Sequence, residues 1–321
     1  MRPWQYLKTI FYTYTIIMSA VLEVTNLTKQ FNELVAVNDL TFTVPTNSIY
    51  GFLGQNGAGK STTIRMLLTL IKPTNGSIKI FGESLTKNPN DILQNIGAVI
   101  ERPDLYKYLT AYENVALFAK LSRVKATNKS IMDVLDKVGL ADRATSKMKT
   151  FSQGMKQRLG IATALIHNPQ LIILDEPVNG LDPQGIADIR NLILHLKNEL
   201  NKTILLSSHL LSEMEMIATD LLIISKGKKV VEGKIESLLN PAQLQIELIT
   251  SNNNEAITLL NTTVWKQHYV TQDAQALLYQ MPKATIPAFN QSLTQLGIQV
   301  YSLRAKHSLE DYFLTLTNTA A

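Results

Sequence analysis

The stretch Gly54-Gln55-Asn56-Gly57-Ala58-Gly59-Lys60-Ser61-Thr62 narrows the possible folds more than any other part of the chain. It follows the short apolar run Ile49 to Leu53 and precedes the apolar-periodic segment Ile64 to Leu70. That order predicts a strand, a glycine-rich loop and a helix. In such a loop the glycines let backbone N–H groups turn inward around a concavity suited to phosphate oxygens. The helix N-terminus adds partial positive charge at the same spot. Lys60 can then reach β and γ phosphates, and the Ser61 hydroxyl can ligate Mg²⁺. The expected ligand is a nucleoside triphosphate.

The surroundings of this loop limit the alternatives. The chain has 321 residues, 45% of them apolar, which allows about two domains. A net charge of +5, with no dense basic run, gives no reason to expect a nucleic-acid partner. Mild basicity suits work near anionic nucleotides or an anionic membrane surface. With no cysteine, disulfides and thiol chemistry are excluded. The five histidines (His167, His195, His209, His268 and His307) make no metal-ligand spacing with one another. Residues 1–17 carry Arg2 and Lys8 and then the apolar stretch Ile10 to Ile17. That stretch falls short of the ~20 apolar residues of a membrane span. It has a passing likeness to a signal peptide, with Ser19-Ala20 as small residues. Export would leave a triphosphate site without its ligand, so residues 1–17 read either as an extension ahead of a start at Met18 or as a loose tail.

From Val21 the pattern is ordered. Leu22–Leu27 and Leu40–Val44 alternate as antiparallel strands, and Ser77–Gly82 returns as a strand. Thr110 to Thr150 is helical in pattern, as is Gly154 to His167, which Asn168-Pro169 stops. Leu171-Ile172-Ile173-Leu174 is an uninterrupted apolar run, the mark of a parallel strand buried on both faces. A helix from Pro183 to Leu200, a strand Thr203–Ser207, a helix Leu210–Ala218 and a hairpin about Lys226-Gly227 follow. Alternation of this kind predicts an α/β layer architecture. A boundary is expected near Asn240-Pro241, dividing residues 18–240 from a small α+β domain at 241–321, possible as a ferredoxin-like fold. Its expected elements are strands at Gln243–Ile249, Leu277–Met281 and Ile298–Leu303, helices at Asn254–Leu260 and Ile286–Leu296, and a last helix opened by Ser308-Leu309-Glu310-Asp311.

The apolar run ends in Asp175-Glu176. A carboxylate at the C-terminal tip of a buried parallel strand lies in the crevice where such sheets bind ligands. Asp175 can hold Mg²⁺ through water, and Glu176 can orient or deprotonate an attacking water. As mere loop or N-cap residues, two adjacent acids after such a strand are poorly explained.

With these residues in place, the chain resembles the nucleotide-binding subunit of an ABC transporter from about Val21 to Glu236. Phe151-Ser152-Gln153-Gly154-Met155-Lys156-Gln157-Arg158 stands where that family has its signature loop. Ser152 and Gly154 match, whereas Gln153 and Met155 depart from the usual glycine and glutamine. Taken alone, this segment is a simple N-capped helix; its place ahead of the Asp175 strand gives it the family reading. Asn179-Gly180-Leu181-Asp182 resembles the D-loop, His209 the switch histidine that contacts the γ-phosphate, and Phe31 the aromatic that stacks on adenine. Phe31 could equally belong to a core. Glu101 stands where the family has its Q-loop glutamine; it keeps an oxygen for Mg²⁺ or its water but adds a charge.

The resemblance implies a P-loop ABC cassette with antiparallel β and helical subdomains, binding ATP and Mg²⁺. It implies Lys60, Glu176 and His209 as catalytic groups and Ser61, Asp175 and Glu101 as metal-side groups. Residues Gly54 to Thr62, Phe31, Glu101, Ser152, Gly154 and Asp182 would contact nucleotide. Two copies would close head to tail on ATP, and a separate membrane permease would carry the substrate path. The place of work would be the cytoplasmic face of the membrane. Export of a drug, peptide antibiotic or lipid-like cargo is the leading expectation, by likeness to bacitracin- or lantibiotic-resistance transporters. The rivals are a soluble ATPase acting on ribosomes or DNA, and a regulatory module of low turnover.

Overall fold

The computed structural model describes residues 20–238, 244–272 and 275–306. The 1–17 extension, the boundary at Asn240-Pro241 and the helix expected from Ser308 lie outside the described residues. The described residues open with β1 (Ala20–Phe31), β2 (Leu34–Pro45), β3 (Ile49–Leu53) and α1 (Lys60–Leu67). It continues through β4 (Asn75–Ile80), β5 (Glu83–Ser84), α2 (Pro89–Leu93) and β6 (Ile96–Val99). Then come α3 (Ala111–Leu121), α4 (Asn128–Lys137), α5 (Gln153–Leu165), β7 (Leu171–Asp175), α6 (Pro183–Asn198), β8 (Thr203–Ser208) and α7 (Leu211–Ile217). The hairpin β9 (Asp220–Ser225) and β10 (Lys228–Lys234) leads to α8 (Ile235–Leu238). The last described elements are β11 (Leu244–Thr250), α9 (Asn253–Leu260), β12 (Tyr269–Gln272), β13 (Leu277–Met281), α10 (Ile286–Gln295) and β14 (Val300–Lys306).

The central sheet runs β10-β9-β3-β8-β7-β6. Its strands are parallel except β10, which pairs antiparallel with β9. Every residue of β3, β7 and β8 is buried. Successive side chains point to opposite faces, and both faces are covered. Tyr50, Phe52, Leu171, Ile173 and Leu205 enter the core beneath the second sheet, β2-β1-β4-β5. Ile49, Leu53, Ile172, Leu174, Ile204 and Leu206 enter the core beneath helices α3 to α7. Continuous apolar runs are what a doubly covered strand requires. Each such side chain contributes about 1.5–3 kcal/mol on burial. Among these side chains, Tyr50 carries a polar group. Its hydroxyl donates to Glu232 Oε1 at 2.8 Å, tying β3 to β10. Burial, reinforced by that carboxylate, drives the phenol far above its ordinary pKa.

The helical stretch from Thr110 is broken where its caps fall. Thr110 and Glu113 form a capping box at the start of α3, and Thr127 with Ser130 does the same for α4. Each cap is worth about 1 kcal/mol. The hairpin turn at Lys226-Gly227 is observed as expected, with both residues at positive φ (49° and 76°), the requirement of a two-residue type I′ turn.

From Leu244 the order β-α-β-β-α-β yields the sheet β12-β13-β11-β14, antiparallel throughout. That is the ferredoxin-like arrangement. Its core gathers Tyr279, Phe289, Trp265, Leu248 and Leu293. Among the described residues, five strands and α-helices were not foreseen: α2, β5 and α8, too short to show a period; β6, hidden in the segment leading to Glu101; and β12, a largely exposed strand at a sheet edge. The last strand begins at Val300 rather than Ile298 and reaches Lys306.

Candidate active site

The parallel strands present their C-terminal ends together. Register places Leu53 of β3 beside Ser208 of β8, and Asp175 of β7 beside Ser207. The glycine-rich loop, the Asp175-Glu176 pair and His209 therefore converge because each directly follows one of three neighbouring strands.

The loop itself has the expected backbone. Gly57 and Gly59 take φ of 81° and 107°, where side chains are strained. A Cβ on Gly59 would also lie 2.7 Å from the Ala36 carbonyl. Below it, Gly227 N donates to Ala58 O at 3.0 Å, and Asn38 N donates to Gly227 O at 2.9 Å. The hairpin turn and β2 thus brace the loop. Lys60 opens α1 and is 5% exposed. Its ammonium donates to Gly54 O at 2.6 Å and Gln55 O at 3.3 Å, and pairs with Glu176 Oε1 at 3.1 Å. Ser61 and Thr62 follow on the first turn of α1, partly exposed, while Gln55 and Asn56 are exposed at the loop crest.

The acids are held by one hydroxyl. Ser207 Oγ donates to Asp175 Oδ1 at 2.5 Å and accepts from Glu176 N at 2.9 Å. Asp175 is fully buried, and its Oδ2 has no hydrogen-bond partner. A buried carboxylate oxygen left over in this way fits a divalent cation or its water. Glu176 takes φ of 51°, a left-handed conformation that costs about 1–3 kcal/mol off glycine. That backbone aims its carboxylate back at Lys60 and His209. His209 Nδ1 bonds Glu176 Oε2 at 2.8 Å. A carboxylate only accepts, so Nδ1 carries the proton and Nε2 faces outward from the pair.

The remaining expected residues divide into two groups. Phe31 is 44% exposed at the end of β1, with the Lys29 ammonium 4.8 Å from its ring centre. It is therefore not a core residue, and its ring face can stack. Ser152 caps α5 by accepting from Met155 N at 3.2 Å, and Asp182 caps α6 by accepting from Gly185 N at 3.1 Å. A Cβ on Gly154 would lie 3.7 Å from Gly185 Cα, so the two helix starts are neighbours. Among the described residues, no hydrogen bond joins Ser152 or Asp182 to the Lys60 loop. Glu101 is bonded to Arg65 of α1. Two contributors escaped the sequence reading. Ser207 had a signal, a polar residue closing the apolar run Ile204–Leu206. Arg65 had a weaker one, its spacing four residues after Ser61.

Comparison with known proteins bears on this geometry. A family model described as ABC transporter matches residues 37–179. The bacitracin transport ATP-binding protein BcrA of Bacillus licheniformis is 43% identical over 310 residues, covering 93% of this chain and 98% of that protein. The chain belongs to the ABC transporter family. It is an ATP-binding subunit of that family, and an ATPase. The lantibiotic transport ATP-binding protein SrtF of Streptococcus pyogenes is 40% identical over 224 residues, covering 70% of this chain and 95% of that one. Among solved structures, an ATP-binding subunit of an ABC transporter is 31% identical with a TM-score of 0.60, over 68% of this chain and 91% of that one. A cassette solved as a post-hydrolysis dimer with ADP and Pi is 26% identical with a TM-score of 0.60, over 67% of this chain and 98% of that one. These relatives favour the transporter reading of this ABC subunit over a ribosome- or DNA-directed one. No helix among its described residues is long and apolar enough to cross a membrane.

Proposed function

We propose that this subunit powers export of a peptide antibiotic or a similar amphipathic cargo, as one of two cassettes that close on ATP beneath a separate membrane permease. The observation that carries the reading is the meeting of Lys60, Asp175, Glu176 and His209 at one edge of the sheet. In this reading Lys60 and the N–H groups of Gly54 to Thr62 bind the β and γ phosphates, and Phe31 stacks on the base. Ser61 and Asp175 would hold Mg²⁺, with Glu101 near them, and the ion would neutralise phosphate charge. Glu176 accepts the proton of the attacking water, and His209 fixes the Glu176 carboxylate. Ser152, Gly154 and Asp182 would serve the nucleotide of the second copy, in keeping with the lack of a hydrogen bond from Ser152 or Asp182 to the Lys60 loop among the described residues.

Residues 18–240 form the cassette and 241–321 an accessory domain in this scheme. The permease would dock where Tyr106 and Tyr108 stand exposed (56% and 80%), on the loop between β6 and α3. That contact keeps the subunit at the cytoplasmic face of the membrane. Bacitracin and lantibiotics are the first cargoes to try, because the relatives named for their transport cover most of the chain. The test is co-expression with a candidate membrane permease in a sensitive host. The expected result is co-purification from membranes and resistance that disappears with Lys60→Ala. A subunit that stays unattached to any membrane partner, with resistance unaltered by Lys60→Ala, would refute the proposal.

A further inference from the structure

Glu101 brings a negative charge to the edge of a site read as binding a triphosphate. It lies two residues past Val99, the end of β6, and Val99 pairs with Leu174 of β7. Its loop therefore starts beside the strand end that carries Asp175 and Glu176. Like charges gathered at one site disfavour each other and disfavour an anionic ligand. The structure supplies the counter-charge. Arg65 Nη2 donates to Glu101 Oε1 at 2.5 Å. Arg65 is four residues beyond Ser61 on α1, so the two share one face of the helix, a turn apart. Glu101 also takes φ of 56°, the left-handed region, which directs the side chain.

We propose that Arg65 is a positioning residue for Glu101: it holds the carboxylate and offsets its charge, so that a glutamate can stand beside bound ATP. The inference rests on the nucleotide-site reading above. It is not an argument about stability. The two side chains are 43% and 61% exposed, and exposed pairs contribute little to folding. The pair's effect should instead appear in how the site receives its anionic ligand. A glutamine at position 101 carries no charge to offset, so it removes the need for Arg65.

The test is a double-mutant cycle in the full-length protein, with wild type, Arg65→Ala, Glu101→Gln and the double variant. Arg65→Lys is added as the conservative exchange. Binding of a fluorescent ATP analogue is measured with Mg²⁺ and in EDTA, alongside kcat and KM. Arg65→Ala should loosen nucleotide about fivefold or more when Glu101 is present, and less than about twofold when Gln stands there. The loss should be larger in EDTA, where the nucleotide is more negative, and Arg65→Lys should recover part of it. Equal losses in both backgrounds would overturn the proposal, whether they arose from an independent charge effect or from damage to α1. A wild type that binds no nucleotide would refute the site reading itself, a separate failure.

Discussion

Replacing Glu176 with Gln preserves the length of the side chain and removes the charge to which Lys60 and His209 are bonded. Three consequences can be weighed from the geometry. First, the pair between Lys60 and Glu176, at 3.1 Å and with exposures of 5% and 16%, competes with any phosphate for the ammonium. A hydrogen bond to a charged group is worth about 1.5–3 kcal/mol net. Removing the competitor should therefore tighten ATP binding about 10- to 100-fold, at ~1.4 kcal/mol per factor of ten. Second, Lys60 is not left stranded, because Gly54 O at 2.6 Å and Gln55 O at 3.3 Å still accept from it. The folding cost should stay near 1 kcal/mol instead of the ~3–5 kcal/mol of an abandoned buried charge. The left-handed backbone at this position is the same for either side chain. Third, an amide cannot take the proton of water, so turnover should fall by about 10²–10⁴. The assays are fluorescent-ATP titration, phosphate release, and size-exclusion chromatography with Mg-ATP, where the variant should run as a dimer. Turnover within tenfold of wild type, or unchanged affinity with only monomer, would refute the reasoning.

Further variants probe other parts of the site. Gly59→Ala places a Cβ 2.7 Å from the Ala36 carbonyl at φ of 107°. Left-handed strain of about 1–2 kcal/mol plus that collision should lower the melting temperature and abolish ATP binding, as calorimetry and titration would show. Asp175→Asn keeps an acceptor for Ser207 but removes the charge beside the unpartnered oxygen. It should raise the Mg²⁺ needed for half-maximal turnover about tenfold or more, while binding of ATP in EDTA changes little. His167 donates through Nε2 to Ile96 O at 3.0 Å, its Nδ1 is buried without a partner, and burial holds its pKa below the ordinary histidine value. The unfolded chain then gains a proton near pH 6.5 that the folded chain takes up only at lower pH, so stability declines as pH falls below about 6.5. His167→Gln should flatten the thermal-melting profile between about pH 5 and 7.

What could be read from sequence, and what could not, divides by distance along the chain. Phosphate binding imposes its demands on consecutive residues. Positive φ at Gly57 and Gly59, an ammonium at Lys60 and a hydroxyl at Ser61 are adjacent, so the loop is legible letter by letter. Burial on both faces likewise writes itself into Leu171 to Leu174 without reference to any other strand. The charges around the bound ligand are set differently. Ser207 meets Asp175 across 32 residues and Arg65 meets Glu101 across 36, each through a strand register or helix face that only the fold supplies. Tyr50 and Glu232 are 182 apart. Glu101 shows the consequence: its position in a motif predicts a metal-side oxygen, yet the nearest cation in space is Arg65. In the proposed site, the residues assigned to phosphate are therefore found by pattern, while those that would decide what charge the phosphate meets are found by pairing. A substitution at Ser207 or Arg65 should change catalysis while leaving every motif intact.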